Sequence, residues 1–223
     1  MTGWRWRWRW GWGWGWALWV AAWPVAAAAQ HGSIGPELGV GEYREAASSL
    51  RYRGVGPGFA GSVTFHRVTA EGAYASIRMN PTGASQATES FRATLIDAWL
   101  RWDALDYLGF EVGLTKRSAA SEFAAQSVGA VRIGARTHYL LGPGAAIWLR
   151  GDYLAGARFS GGGSAPVAME IGLGLDIRWS SHIRAAAQYS FQRLDRKTHP
   201  AGGAEVPVPI EQALARVGLA VGF

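Results

Sequence analysis

The chain of 223 residues has room for one domain behind a processed leader, and two independent folding units are not expected. It has no cysteine, which excludes a structural disulfide, a cysteine-ligated zinc and a lipidated cysteine. Of its 22 basic residues, Arg5, Arg7 and Arg9 lie at the extreme N-terminus, so 19 basic residues face 16 acidic ones in the remainder and no nucleic-acid surface is predicted.

Residues 1–29 have the pattern of a secretory signal peptide. The three arginines precede an apolar stretch, and Ala27 and Ala29 supply the small residues of an A-x-A cleavage site. We therefore expect cleavage before Gln30, which leaves residues 30–223 as the mature domain. The alternative is a membrane anchor that stays attached, but the apolar stretch is shorter than the ~20 residues that a spanning helix needs.

The mature chain alternates apolar and polar residues with period two. The last strand is the clearest case, with one apolar face formed by Val217, Leu219, Val221 and Phe223. The alternating runs last about ten residues, which is typical of tilted strands that cross a membrane. Strands of a water-soluble sandwich, the competing explanation for such alternation, are usually about five or six residues long.

Ten segments carry this alternation, and they predict an all-β protein, a transmembrane antiparallel up-and-down barrel. An eight-strand closure is the alternative. The predicted strands cover residues 34–45, 57–68, 72–82, 90–102, 107–117, 127–140, 145–159, 166–179, 182–194 and 211–223. Tight turns are predicted at 69–72, 103–106, 141–144 and 180–181, and they alternate with longer loops. An even number of strands places both chain ends on the side of the tight turns, which is the periplasmic side in such barrels.

Aromatic residues near the predicted strand ends suggest girdles at the two lipid boundaries. Beside the tight turns lie Trp102, Tyr139, Trp179 and Phe223, and beside the long loops lie Phe59, Phe91, Phe159 and Phe191. Membrane barrels carry such rings at both interfaces. We therefore expect all eight aromatic side chains to face outward.

The C-terminal segment, residues 217–223, resembles the assembly signal of Gram-negative outer-membrane proteins. In that family a terminal aromatic residue with apolar residues at alternate positions is recognised by the barrel-assembly machinery. Together with the strand pattern, the signal identifies the chain as similar to the small outer-membrane barrels typified by OmpA and OmpX. This resemblance implies a location in the bacterial outer membrane and assembly by that machinery. It covers the architecture of the whole mature chain and adds no further family motif.

The polar side of the strands is expected to face an enclosed lumen. Strand parity assigns to it Arg78, Arg101, Arg117, Arg132, Arg136, Arg150, Arg158, Arg178, Arg184 and Arg216, together with Asp97, Glu111, Asp152, Glu170 and Asp176. We expect a charge network at Arg132, Arg136, Arg150, Asp152, Asp176, Arg178, Arg184 and Arg216. Because so small a barrel is barely wider inside than its side chains, these charges are predicted to pair and plug it. The positive excess leaves a narrow, anion-preferring channel as an alternative.

A lipid-active enzyme is the second alternative, because parity places His138 beside Arg136, and His66 beside Ser62 and Thr64, on the inward face. Neither set forms a recognisable catalytic motif, so no catalytic, metal or cofactor residue is assigned and no cofactor is expected.

The longest predicted loop, 195–210, carries basic residues on or near its first half. These are Arg193, Arg196, Lys197 and His199. They are candidates for contacts with lipopolysaccharide phosphates. The overall expectation is a monomeric, plugged barrel with a structural or surface-interaction role in the outer membrane.

Overall fold

The computed structural model describes residues 31–83, 89–198 and 206–223. Its strands are β1 (His31–Glu45), β2 (Arg51–Phe65), β3 (Val68–Pro81), β4 (Phe91–Leu105), β5 (Leu108–Ala119), β6 (Val128–Gly142), β7 (Ala145–Phe159), β8 (Ser164–Ala165), β9 (Ala168–Arg178), β10 (Ile183–Thr198) and β11 (Val206–Gly222). One 3₁₀ segment, Ser121–Gln126, lies between β5 and β6. None of the described helical segments is long and apolar enough to span a membrane.

The strands form a closed antiparallel ring. Each long strand pairs with the next one along the chain, and β11 pairs with both β10 and β1, which joins the last strand to the first. The two-residue β8 bridges β7 and β10 beyond the end of β9, so the wall consists of ten long strands. The predicted ten-strand, all-β barrel is confirmed.

Alternation along each strand sorts the side chains between lumen and outer surface. On β11, for example, Leu214 and Arg216 are buried inside while Val217 and Leu219 are exposed outside. Inward positions also need small residues where the lumen is crowded. A Cβ atom at Gly174 would collide with the indole ring of Trp148, its partner across the β7 and β9 pair, so only glycine leaves room for that ring.

The two ends of the barrel differ. At the terminal end, His31 and Phe223 lie together with the short turns after β2, β4, β6 and β9. At the opposite loop end lie the longer connections, including the 3₁₀ segment. Long and short connections therefore alternate, as the sequence predicted.

The first tight turn lies earlier than predicted, and this shift reverses the parity of β3. The structure turns at His66 and Arg67 instead of 69–72, with His66 at a positive φ of 55°. A two-residue hairpin loop of this kind requires positive φ, and the sequence there has none of the usual Asn-Gly or Asp-Gly signals. Two residues separate β2 from β3, whereas the predicted strands 57–68 and 72–82 leave three between them, and this difference of one residue moves the side chains of β3 to the other face. Arg78 is therefore exposed on the outside, and the prediction that it lines the lumen is wrong. The same turn takes His66 out of the lumen.

A bulge in β7 reverses a second parity assignment. Gly156 adopts a φ of 64°, and the pairing of β6 with β7 slips by one residue between Gly129 and Val131. Beyond this extra residue Ala157 and Phe159 point inward, so Arg158 is exposed on the outer face. The prediction that Arg158 faces the lumen is wrong for this reason.

The predicted aromatic girdle at the loop end is also wrong, since Phe91 and Phe159 are buried in the lumen, and Phe59 and Phe191 lie in the middle of their strands. At the terminal end, the aromatic residues predicted to face outward are all exposed. These are Trp102, Tyr139, Trp179 and Phe223.

Candidate functional site: the lumen

The loop half of the lumen is filled by apolar side chains. The cluster comprises Tyr43, Tyr52, Ala75, Ile77, Met79, Phe91, Leu95, Val128, Leu154, Ala157, Phe159, Ala165, Ala168, Leu194, Ile210 and Leu214. Residues of this cluster line a cavity of about 60 Å³. The sequence analysis expected only small and charged residues inside and did not predict this cluster, although Leu214, on the same face of β11 as Arg216, could have indicated it.

The 3₁₀ segment between β5 and β6 covers this apolar cluster. Phe123 stacks on Phe91 with ring centroids 4.5 Å apart and meets Tyr52 edge to face at 5.4 Å. The hydroxyl of Tyr43 donates a hydrogen bond to the side-chain oxygen of Gln126, the last residue of the segment. The loop end is therefore closed by a folded-in connection as well as by the strand side chains.

Charged side chains close the middle of the lumen, and Arg132 lies at their centre. Its guanidinium is 2.8 Å from Glu170, 3.5 Å from Asp152 and 3.6 Å from Asp97. Arg150 contacts the same Asp152 and Glu170, at 2.9 and 2.5 Å. All five side chains are at most 3% exposed, so the two arginines share their carboxylates out of contact with solvent.

Asp97 extends the network to the opposite wall. It accepts hydrogen bonds from Thr115 and Arg117 on the neighbouring strand, at 2.8 and 2.9 Å. From β11 the guanidinium of Arg216 reaches the second carboxylate oxygen at 2.8 Å, and it also lies 3.7 Å from Glu37. Asp97 thus joins β4 to β5, β6 and β11, and Arg216 adds β1 through Glu37.

A second group of charges continues toward the terminal end. Arg136 lies 2.6 Å from Glu111 and 3.1 Å from Glu71, and Arg101 contacts Glu71 at 2.7 Å. Arg101 also contacts Asp103, at 2.8 Å. Of the predicted network, Arg132, Arg136, Arg150, Asp152 and Arg216 are placed in these buried pairs. Asp176, Arg178 and Arg184 lie nearer the terminal rim, where Asp176 and Arg184 line a cavity and Arg178 is exposed.

The positive excess expected from parity is absent from the described lumen wall. Arg78 and Arg158 lie outside, and two carboxylates that the sequence analysis did not assign, Glu37 and Glu71, lie inside. Pairing joins the arginines Arg101, Arg117, Arg132, Arg136, Arg150 and Arg216 to the carboxylates Glu37, Glu71, Asp97, Glu111, Asp152 and Glu170. The plug is close to neutral as a result.

Two tryptophans pack against the guanidinium groups. Trp99 lies within 5.3 to 5.8 Å of Arg132, Arg136 and Arg150, measured from ring centroid to guanidinium carbon. Trp148 lies 4.9 Å from Arg136 and 5.6 Å from Arg150. The rings fill space between the charges and add cation–π attraction, which is stronger in a desolvated interior than at a wet surface.

Below the charges, the lumen opens into a polar cavity of about 340 Å³ at the terminal end. Its wall includes Ser62, Thr64 and His138, while Trp99 and Trp148 border it on the side of the plug. His138 is the one histidine that the structure places in this cavity from among the described residues.

The C-terminal strand presents the apolar stripe that the sequence predicted. Val217, Leu219, Val221 and Phe223 are 54 to 61% exposed on the outer surface. Phe223 and Gly32 exchange two backbone hydrogen bonds, at 2.9 and 3.0 Å, where β11 meets β1. The predicted cleavage residues Ala27, Ala29 and Gln30 lie outside the described residues.

The outer surface is apolar around the barrel. Exposed residues of every long strand contribute to it, among them Leu38, Phe59, Tyr74, Leu100, Leu114, Ile133, Leu149, Ile171, Tyr189 and Leu219. A water-soluble barrel would reverse this arrangement, with its apolar side chains inside and its charges outside.

The protein is similar to known proteins in its fold and not in its sequence. No family model and no curated protein sequence matches the chain. Among solved structures, an outer-membrane channel from Pseudomonas putida F1 has a TM-score of 0.52 at 13% identity, covering 88% of this chain and 96% of that one. The translocator domain of the autotransporter NalP from Neisseria meningitidis gives 0.50 at 13%, covering 93% and 94%.

The outer-membrane protease OmpT from Escherichia coli also has a TM-score of 0.50, at 9% identity over 87% of this chain and 97% of that one. A channel, a translocator and a protease share this architecture, so the likeness carries no specific activity. Together with the ten-strand ring and its apolar exterior, it shows that the chain has the fold of a small outer-membrane β-barrel protein.

Proposed function

We propose that the protein resides in the bacterial outer membrane as a sealed β-barrel with a structural or surface-interaction role. The observation that carries this proposal is the plug at mid-height, where Arg132, Arg150, Asp152 and Glu170 are at most 4% exposed and satisfy one another's charges. An ion that entered would have to displace these pairs. The apolar cluster above them adds a second barrier.

The location follows from the outer surface. Burying charges in the lumen and exposing leucine, isoleucine and valine is favourable only if the exterior faces lipid. The alternation of long loops with short turns suggests that the loop end faces the outside of the cell and the terminal end faces the periplasm. In this orientation the polar cavity is a blind pocket on the periplasmic side.

Conductance in planar lipid bilayers tests the sealed lumen. The wild-type protein should give no discrete channels, because the pairs around Arg132 and the rings around Phe91 both close the passage. A triple variant that removes side chains from both barriers should conduct if it still assembles. Its substitutions are Arg132→Ala, Phe91→Ala and Phe123→Ala. Reproducible, anion-selective channels in the wild-type protein would instead establish the narrow solute channel that the sequence left as an alternative.

The proposal includes no catalytic activity. The test is the mass of lipid A extracted from cells that express the protein, compared with cells that express His138→Ala. An unchanged mass in both agrees with a non-enzymatic barrel. A mass shift that disappears in His138→Ala would establish a lipid-active enzyme and overturn this part of the proposal.

A further inference from the structure

Two arginines face each other on the outer surface of strands β3 and β4 near the loop end. Arg78 and Arg92 are direct partners in the register of this strand pair, and both are exposed. Directly opposed residues of an antiparallel pair have Cβ atoms about 5 Å apart, and like charges in this position destabilise the sheet. An anion that binds between the two guanidinium groups would remove this repulsion.

Two other outward-facing arginines near the loop end have a carboxylate beside them. Arg53 lies 3.3 Å from Glu42, and Arg193 lies 3.0 Å from Asp195. Within residues 31–83, 89–198 and 206–223, neither Arg78 nor Arg92 forms an ion pair. The charge of this pair is therefore uncompensated by the described part of the protein.

The outward residues next to the pair are hydrogen-bond donors. Ser76 and Thr94 oppose each other one step farther from the loop end, on the same outer face. Asn80 lies one step nearer the loop end and accepts a hydrogen bond from Ser90, at 2.9 Å. Two guanidinium groups and two hydroxyls thus share one patch of the outer face.

The position of the patch along the strands indicates where its ligand lies. Moving toward the loop end, the outward pairs are Val68 with Trp102, Ala70 with Leu100, Gly72 with Ala98, and Tyr74 with Ile96. The hydroxyl pair and then the arginine pair follow. The ten residues from Val68 to Arg78 cover about 33 Å of strand at roughly 3.3 Å per residue, which is about 25 Å of height for a strand tilted by about 40°. The apolar band of a membrane barrel is about 25 Å tall, so the arginine pair lies where the lipid headgroups begin.

We propose that Arg78 and Arg92 form a clamp for a phosphate group of a phosphorylated glycolipid in the outer leaflet. Arginine binds phosphate oxygens through paired N–H donors, and one phosphate between the two guanidinium groups would turn their repulsion into a shared contact. The inference rests on the proposed outer-membrane location, which supplies a lipid whose headgroup lies at this height.

The test is native mass spectrometry of the purified, folded protein in a maltoside detergent, titrated with bis-phosphorylated lipid A. We expect the double variant Arg78→Gln/Arg92→Gln to weaken binding at least tenfold. The control Lys116→Gln/Arg158→Gln removes the same charge from the outer face, where Lys116 opposes Ile96 and Gly129 and Arg158 opposes Gly129 and Ser164. It should weaken binding less than threefold. Equal losses of affinity in both variants would show that binding depends on the overall charge of the outer face, and would overturn the clamp.

Two further arms identify the ligand. Dephosphorylated lipid A should bind at least tenfold more weakly than the phosphorylated form, and equal binding would overturn the role of phosphate. Millimolar inorganic phosphate should not displace the lipid, and full displacement would show a site for a free anion instead. Because these measurements use purified protein, a failure of the clamp is distinct from a failure of the proposed location, which membrane fractionation reports separately.

Protein stability provides a readout that does not depend on lipid binding. In maltoside without lipid, Arg78→Gln/Arg92→Gln should melt at a higher temperature than the wild type, since it removes the repulsion, whereas Lys116→Gln/Arg158→Gln should not. Adding phosphorylated lipid A should raise the melting temperature of the wild type and leave that of the double variant unchanged. If, without lipid, the melting temperature of the wild type equals or exceeds that of the double variant, the two arginines do not repel each other as proposed.

Discussion

Arg216 on β11 and Asp97 on β4 meet across the lumen at 2.8 Å, although 119 positions separate them in the chain. The contact joins two strands that are not neighbours in the barrel wall, and both side chains are almost completely buried. Asp97 also receives Arg117 and lies 3.6 Å from Arg132. One carboxylate therefore compensates several largely buried guanidinium groups.

Replacing this carboxylate should destabilise the barrel strongly. Asp97→Asn leaves Arg117 and Arg216 without their nearest negative charge, and breaking a buried pair from one side costs about 3–5 kcal/mol. Urea unfolding in detergent, followed by the gel shift between folded and boiled protein, measures the loss. The control is Asp195→Asn, whose ion pair with Arg193 is exposed and should contribute less than about 1 kcal/mol. Equal effects of the two variants would refute the central role of Asp97.

The apolar cluster should contribute to stability independently of the charges. Leu154 is completely buried in the loop half of the lumen, so Leu154→Ala should cost about 2–5 kcal/mol by lost burial and the cavity left behind. Leu149→Ala, on the same strand but 57% exposed on the outer surface, should cost much less. The same unfolding assay compares them. A larger effect of Leu149→Ala than of Leu154→Ala would contradict the placement of Leu154 in the packed interior of the barrel.

Single-cysteine labelling should separate a lipid-facing from a water-facing surface. The chain contains no cysteine, so Leu219→Cys and Ala220→Cys each introduce one reactive thiol. In membranes, Leu219→Cys should react with a lipid-soluble maleimide and resist a charged one, whereas Ala220→Cys, which lines the polar cavity, should react with the charged reagent. The reverse labelling pattern would indicate a water-soluble barrel and contradict the proposed location in the outer membrane.

The terminal phenylalanine should be needed for assembly. We expect deletion of Phe223 to leave the protein in the periplasm, because the last strand then lacks the aromatic end of its apolar stripe. Trp179→Ala, which removes another exposed aromatic side chain at the same end of the barrel, should assemble normally. Fractionation and the heat-dependent gel shift report both. Normal assembly without Phe223 would refute the predicted signal.

The Tyr43 hydroxyl should hold the 3₁₀ segment over the lumen. Tyr43→Phe removes its hydrogen bond to Gln126 but keeps the ring in the apolar cluster. Cleavage by an external protease between residues 120 and 127 should become faster, while the melting temperature changes little. An unchanged cleavage rate would show that the stacking of Phe123 on Phe91 is sufficient.

The strand number and the apolar stripe on β11 could be predicted from the sequence, because the alternation of a lipid-facing strand is a local property of consecutive residues. The exposure of Arg78 and Arg158 on the outer surface could not be predicted in this way. A two-residue turn at His66 and a bulge at Gly156 each move the side-chain parity by one residue, and neither leaves a clear signal in the sequence.

For the lumen, the sequence by itself determined which residue types alternate along each strand, and therefore that a ring of strands would separate an apolar exterior from a partly charged interior. Only the tertiary structure decided which charges meet. Arg196, a candidate for contacts with lipid phosphates, lies inside the barrel instead. Its guanidinium lies 4.5 Å from the ring centroid of Phe159 and donates a hydrogen bond to the carbonyl of Gly162. Partners across a lumen are set by the register and curvature of ten strands together, and no local pattern encodes those quantities.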